Sequence, residues 1–200
     1  ATLAAIIIGR EIAVSALRSG TGTSTFLANL AVSILPTRPV LLVDLHHTAP
    51  GLHTLFSIPA SAQDLMASAP WSQLAVPTPL DRLSLLPQFA PHLEKEMTDL
   101  KLKKRMQSFL KDNPPDRLIL VDVAPLGRSD VFEEIADTSD LFLLLLGPDP
   151  APVSAKPALK RLAKAMKNKS ILRVSRTDVQ LPNALASRPQ VDFQFAEISG

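Results

Sequence analysis

EIAVSALRSGTGTSTFLANLAVSILPTRPVLLVD, residues 11–44, decides how this chain folds. Ile12-Ala13-Val14 is a short apolar run of the kind that forms a fully buried strand. Arg18-Ser19-Gly20-Thr21-Gly22-Thr23-Ser24-Thr25 follows as a glycine-bearing turn. Phe26, Leu27, Leu30, Ala31 and Ile34 then recur at three- and four-residue spacing, which places them on one face of a helix. Pro36 closes that helix, and Val40-Leu41-Leu42-Val43-Asp44 reads as the next buried strand. Strand, turn, helix and strand make one βαβ unit. A turn at a helix N-terminus can wrap phosphate, because unpaired N–H donors and partial positive charge collect there. A Gly-x-Gly in this place also serves simply to turn the chain, so the remaining sequence has to choose between the two readings.

Outward from this unit, the same pattern repeats. Arg117-Leu118-Ile119-Leu120-Val121-Asp122-Val123-Ala124-Pro125 is an apolar run ending in an aspartate. An aspartate at the carboxyl edge of a parallel sheet lies where ligands are expected to bind. Leu83 to Leu86, the almost wholly apolar run Asp140 to Leu146, and Ile171 to Ser175 read as further strands. Helices are predicted over Ser61 to Ala69, Leu93 to Leu110 and Val153 to Lys167. The last carries Lys156, Lys160, Arg161, Lys164 and Lys167 opposite Ala158, Leu159, Leu162, Ala163 and Met166. Such a basic run, like Lys101, Lys103, Lys104 and Arg105 in the helix before it, is usually a solvated face.

Composition limits the function. Two hundred residues, 46% of them apolar, suit one domain with a sizeable core. With no cysteine there is neither a disulfide framework nor thiolate chemistry. A net charge of +2 is too small to imply nucleic acid or membrane by itself. Eight Phe, one Trp and no Tyr give little for stacking on bases or sugars, and exclude autophosphorylation on tyrosine. The apolar run Leu3 to Ile8 is far shorter than the ~20 residues that span a bilayer, and it lacks the basic start of a signal peptide. It reads as a linker or an extra strand, with residues 11–200 as a single domain. His46, His47 and His53 lack the Cys or acidic company of a metal site.

The turn at residues 18–25 resembles the deviant Walker A loop, K-G-G-x-G-K-[ST]-T, of the ParA/MinD family of P-loop ATPases (the SIMIBI class). Gly20, Gly22, Ser24 and Thr25 match that pattern, while Arg18 and Ser19 replace a lysine and a glycine, and Thr23 replaces the phosphate-binding lysine. A lysine there neutralises the β- and γ-phosphates; a threonine donates one neutral hydrogen bond. Asp44 is similar to the first aspartate of the family's D-x-D, and Gly51, Leu52, Leu55 and Phe56 resemble the short helix after it. His46 stands where the second carboxylate would position water, and is either a base near neutral pH or the mark of weakened hydrolysis. Asp122 and Pro125 resemble the D-x-P-P element, whose aspartate holds a water of the Mg²⁺ shell. Asp130 resembles the "S-D" continuation, and Pro148-Asp149-Pro150 the loop before the next helix.

The resemblance implies a doubly wound, mostly parallel α/β sheet with helices on both faces. It implies ATP or ADP with Mg²⁺ held by residues 18–25, with Ser24 and Asp122 at the metal and Asp44 and His46 as catalytic candidates; an empty site is the alternative. After Lys169 the chain lacks about one strand and one helix of its relatives, so no base-contacting residue is assigned. Leu181 to Val191 resembles the family's final strand and helix. The departures at Arg18, Thr23 and His46 look most like accessory members of bacterial envelope machines, the MinD-like partner of cellulose synthase and the Tad-pilus protein. The expected role is a cytoplasmic scaffold, as homodimer or heterodimer with a related subunit, reaching the inner membrane face only through protein partners. An active ATPase and a ParA-like DNA-partition protein are the alternatives.

Overall fold

The structure is a computed structural model that describes residues 9–46, 51–58, 71–87, 104, 107–108, 111–126, 132–147, 155–166 and 169–175. In chain order the elements are β1 (Glu11–Ala16), α1 (Thr23–Ile34), β2 (Val40–Leu45), α2 (Leu52–Leu55), α3 (Trp71–Leu74), β3 (Val76–Pro77) and β4 (Leu83–Leu86). They continue with β5 (Leu118–Val123), α4 (Phe132–Thr138), β6 (Leu141–Leu146), α5 (Ala155–Ala165) and β7 (Ser170–Ser175). One seven-stranded sheet has the order β3-β4-β2-β5-β1-β6-β7. Every pairing is parallel except the short edge pair β3–β4.

The four central strands are buried along their whole lengths, which is why their sequences run apolar without alternation. Alternate side chains still sort to opposite faces. On one face Ile12, Val14, Leu42 and Leu120 pack against Phe26, Leu27, Leu30 and Ile34 of α1. On the other, Ala13, Leu41, Val43 and Val121 meet Phe132 and Ile135 of α4 and Leu159 and Leu162 of α5. Helix α1 stops at Ile34, just ahead of Pro36, and Thr37 Oγ1 donates to the freed Ile34 carbonyl at 2.7 Å.

The structure brings α3 and the antiparallel β3, which the sequence reading left unassigned, and extends β1 by Glu11 at one end and by Ser15 and Ala16 at the other. On α5, Lys156, Lys160, Arg161 and Lys164 are exposed while Ala158, Leu159 and Leu162 are buried. The basic run is a solvated face, with Arg161 Nε 3.0 Å from Glu133 and its guanidinium 5.0 Å above the Phe132 ring. The expectations for Leu3 to Ile8, His47, Ser61 to Ala69, Asp130, residues 148–150 and Leu181 to Val191 lie outside the described residues. So does most of Leu93 to Leu110.

Candidate functional site

The site forms where β1 ends between β5 and β6. Val14 pairs with Asp122 of β5 on one side and Ala16 with Leu145 of β6 on the other. Leaving β1, the chain must turn sharply to start α1 on the sheet face. Gly20 and Gly22 make that turn at φ of 79° and 86°. No atom lies within 4 Å of a Cβ placed on either, so the glycines are required by backbone conformation and not by crowding. Gly22 is the residue before the helix; its carbonyl accepts the Phe26 N–H at 2.8 Å. Thr21 Oγ1 donates to the Arg18 carbonyl at 2.8 Å and closes the loop on itself.

The exit of β5 is fastened to the same strand end. Ser15 Oγ donates to the Ala124 carbonyl at 2.9 Å, and the Leu126 N–H donates to the Ala16 carbonyl at 3.0 Å. Ser24, in the first turn of α1, then reaches across: its hydroxyl donates to Asp122 Oδ2 at 2.6 Å, joining residues 98 apart in sequence. Arg18, Ser19, Gly20, Gly22, Thr23, Ser24, Thr25, His46, Asp122, Val123 and Pro125 line one pocket of about 170 Å³. Sites that enclose a whole small ligand run to about 300–1,000 Å³, so this pocket is smaller than one that would enclose a whole small ligand. Among these lining residues Arg18 is the one permanent cation.

Asp44 and Asp122 stand directly opposite each other on β2 and β5, and so on the same face of the sheet. Both are buried. Burial, and then the charge of Asp44, push the Asp122 carboxyl up to about 7 against the pull of the Ser24 hydrogen bond. Burial raises Asp44 to about 6, held down by backbone donors. Those donors are the N–H groups of His46 on Oδ1 at 3.0 Å, and of Gly51 and Leu52 on Oδ2 at 3.2 and 3.3 Å. Asp44 therefore ties His46 and the start of α2 to its own strand end. Asp122 Oδ1 is buried with no hydrogen-bond partner. A buried acceptor left bare beside a hydroxyl and a glycine loop is the donor set a divalent cation with phosphate requires, so Mg²⁺ fits the residues present.

Every site residue named from sequence is thus among those described. All line the pocket except Thr21, which braces the loop, and Asp44, which lies behind the wall. Sequence reasoning missed Ser15, whose hydroxyl carries no motif, and Gly147 at the end of β6, whose Cβ would lie 3.7 Å from Thr21 Cγ2. It also missed Glu11, buried at the opposite edge of the sheet. A charged residue flanking an apolar run was the one available signal. Among the described residues no group of three or more His, Asp and Glu side chains could hold a metal, and no helix is long and apolar enough to cross a membrane.

No protein-family profile matches the chain, and no curated protein is detectably similar to it. Solved structures do match. A plasmid partition protein from Borrelia burgdorferi superposes with a TM-score of 0.70 at 18% identity, covering 89% of this chain and 82% of its own. Cobyrinic acid a,c-diamide synthase from Mycobacterium smegmatis, with bound ADP and magnesium, gives 0.64 at 19%, covering 84% and 75%. A ParA family ATPase from Chlorobium tepidum gives 0.61 at 16%, covering 92% and 82%. At these identities the likeness shows the fold: a mostly parallel sheet of the kind seen in ParA/MinD-type P-loop ATPases.

Proposed function

We propose that this chain is a nucleotide-responsive scaffold that binds ADP or ATP with a divalent cation in the loop 18–25 and hydrolyses ATP slowly or not at all. The observation that carries it is the Ser24–Asp122 hydrogen bond at 2.6 Å, beside an unpartnered Asp122 oxygen, in the pocket the glycine turn opens onto. The N-terminal N–H groups of α1 would receive phosphate, and Ser24 and Asp122 would hold the cation. A bound Mg²⁺ supplies charge neutralisation of the phosphates. Arg18 supplies the remaining positive charge, since Thr23 offers only a neutral hydroxyl where lysine would stand.

Weak hydrolysis follows from the same wall. Asp44 is engaged by three backbone N–H groups, which leaves His46 as the side chain on that side able to take a proton from water. His46 in the pocket is the one observation favouring a working ATPase instead. Magnesium-dependent turnover lost in His46→Gln would establish that reading. The departures at Arg18, Thr23 and His46 support a place among accessory proteins of a bacterial envelope machine, acting in the cytoplasm as a homodimer or beside a related subunit.

Calorimetry with ATP and Mg²⁺ on the wild type and on Thr23→Lys tests the proposal. The wild type binds weakly, and the added ammonium strengthens binding by roughly tenfold or more, about the worth of one charge-assisted contact. Low-micromolar binding by the wild type, unchanged by the substitution, overturns the argument from the missing lysine.

A further inference from the structure

We infer that Ser15 is a positioning residue of this site: its hydroxyl, on the face of the sheet away from the pocket, straps the loop after β5 to β1 and so presets the cation side of the pocket. This rests on the nucleotide reading of the same pocket, and deepens it by saying what keeps the two walls together.

The ladder between β1 and β5 runs from Glu11 and Ile119 to Val14 and Asp122, which is its last pair. On its other side β5 stays with β2 one residue longer, to Leu45 and Val123. Beyond that point two bonds to β1 take over from the ladder. The Ser15 hydroxyl donates to the Ala124 carbonyl at 2.9 Å, and the Leu126 N–H donates to the Ala16 carbonyl at 3.0 Å. They grip the chain on either side of Pro125, which lines the pocket and has no N–H of its own to offer. Ser15 and Ala124 are fully buried and Leu126 nearly so. Buried this deeply, the Ala124 carbonyl has no bulk water to turn to, and loss of the hydroxyl leaves it bare.

The two faces of the sheet separate this role from ligand contact. Val14 and Ala16 pack on the α1 side, and Ala13, Val123 and Leu126 on the side of α4 and α5. By alternation Ser15 belongs to the second face, and Asp122, between Val121 and Val123, to the first, where Ser24 meets it. Ser15 accordingly does not line the pocket, and acts on it through Ala124 and Pro125, the second and third residues after Asp122. The strand end that carries the strap, Ser15 and Ala16, leads through Leu17 into Arg18 and the glycine turn. Both walls of the pocket therefore hang from one strand end. The turn is closed on itself by Thr21 and Arg18, so loss of the strap spares the phosphate side and disturbs the cation side.

The test measures ADP affinity by calorimetry, with and without Mg²⁺, for the wild type, Ser15→Ala, Ser15→Cys and Thr138→Val. The last loses a hydroxyl that donates to Glu11 at the opposite edge of the sheet, and serves as the control. The factor by which Mg²⁺ strengthens ADP binding falls about fivefold or more in Ser15→Ala, while binding of ADP alone is little changed. It falls less in Ser15→Cys, whose thiol is a weaker donor, and not at all in Thr138→Val. Amide hydrogen exchange reads the strap without any ligand. The Leu126 N–H loses protection in Ser15→Ala, while the Ile119 N–H, bonded to the Arg10 carbonyl, keeps it. An unchanged Mg²⁺ factor in both Ser15 variants, or a Leu126 amide as protected as in the wild type, overturns the inference and leaves the nucleotide reading standing. An equal fall in Thr138→Val overturns it too, since the effect is then one of stability. Failure of the wild type to bind ADP, with or without Mg²⁺, overturns both.

Discussion

Glu11→Gln tests what burial does to a charge in this fold, away from the pocket. Glu11 is fully buried in β1; its Oε1 accepts the Thr138 and Ser139 hydroxyls at 2.7 and 2.8 Å, and Oε2 has no partner. Burial pushes its carboxyl from 4.5 to about 7, with the Asp140 charge adding to the rise and the two hydroxyls and Lys169 opposing it. The unfolded chain thus gives up this proton at lower pH than the folded one. The stability held by the neutral carboxyl is complete below about pH 4.5 and is lost as pH rises through about 7. At about 1.4 kcal/mol per tenfold change, the loss is about 3 kcal/mol.

Glutamine keeps the acceptor for both hydroxyls and cannot ionise. Its buried amide introduces a penalty of its own, but one that does not change with pH. The informative quantity is therefore a difference of differences: relative to wild type, Glu11→Gln gains about 3 kcal/mol more near pH 8 than near pH 4.5. In a domain of this size that is ~6–12 °C in melting temperature. Urea or thermal unfolding of both proteins across this range measures it. A constant offset between the two curves would falsify the account, since it would mean that Glu11 is as ionised inside the fold as outside it.

The pocket offers further checks. Ser24→Ala removes the donor to Asp122 Oδ2 and a cation ligand together, so it weakens metal–ADP binding and lowers the stability of the free protein near pH 8 by about 1–3 kcal/mol; denaturation and calorimetry on one preparation read both. Gly22→Ala meets no atom, yet must hold φ near 86°, so it costs about 1–2 kcal/mol from backbone strain alone; a crystal structure of the variant with an unmoved loop and unchanged stability would contradict this. Cation binding at Asp122, poised at about 7, displaces protons. Calorimetry in buffers of different ionisation heat should find more protons released near pH 6 than near pH 8.5.

What was legible in the sequence was whatever depends on neighbours along the chain. The unbroken apolar runs at Val40–Val43, Leu118–Val121 and Leu141–Leu146 read as strands covered on both faces, and they are. The spacing of Phe26, Leu27, Leu30 and Ile34 could only be a helix with one buried side, and two glycines between strand and helix announced the turn. Resemblance then placed Asp122 beside that turn. What the tertiary structure alone decided is which atoms of those residues remain available. Asp44 and His46 read from sequence as catalytic candidates, His46 alternatively as the mark of weakened hydrolysis; folding engages Asp44 with the N–H groups of His46, Gly51 and Leu52 and sets His46 in the pocket wall. Glu11 drew no reading from sequence, and the assembly of β1 beside β6 carries it into the interior against Thr138 and Ser139. Periodicity reports which side of an element faces the core, because that is a property of the local helix or strand. Side-chain hydrogen bonds such as Ser24 to Asp122 and Glu11 to Thr138 and Ser139, and the acid equilibria they bear on, join groups about a hundred residues or more apart in the chain, and only the assembled sheet brings those within reach.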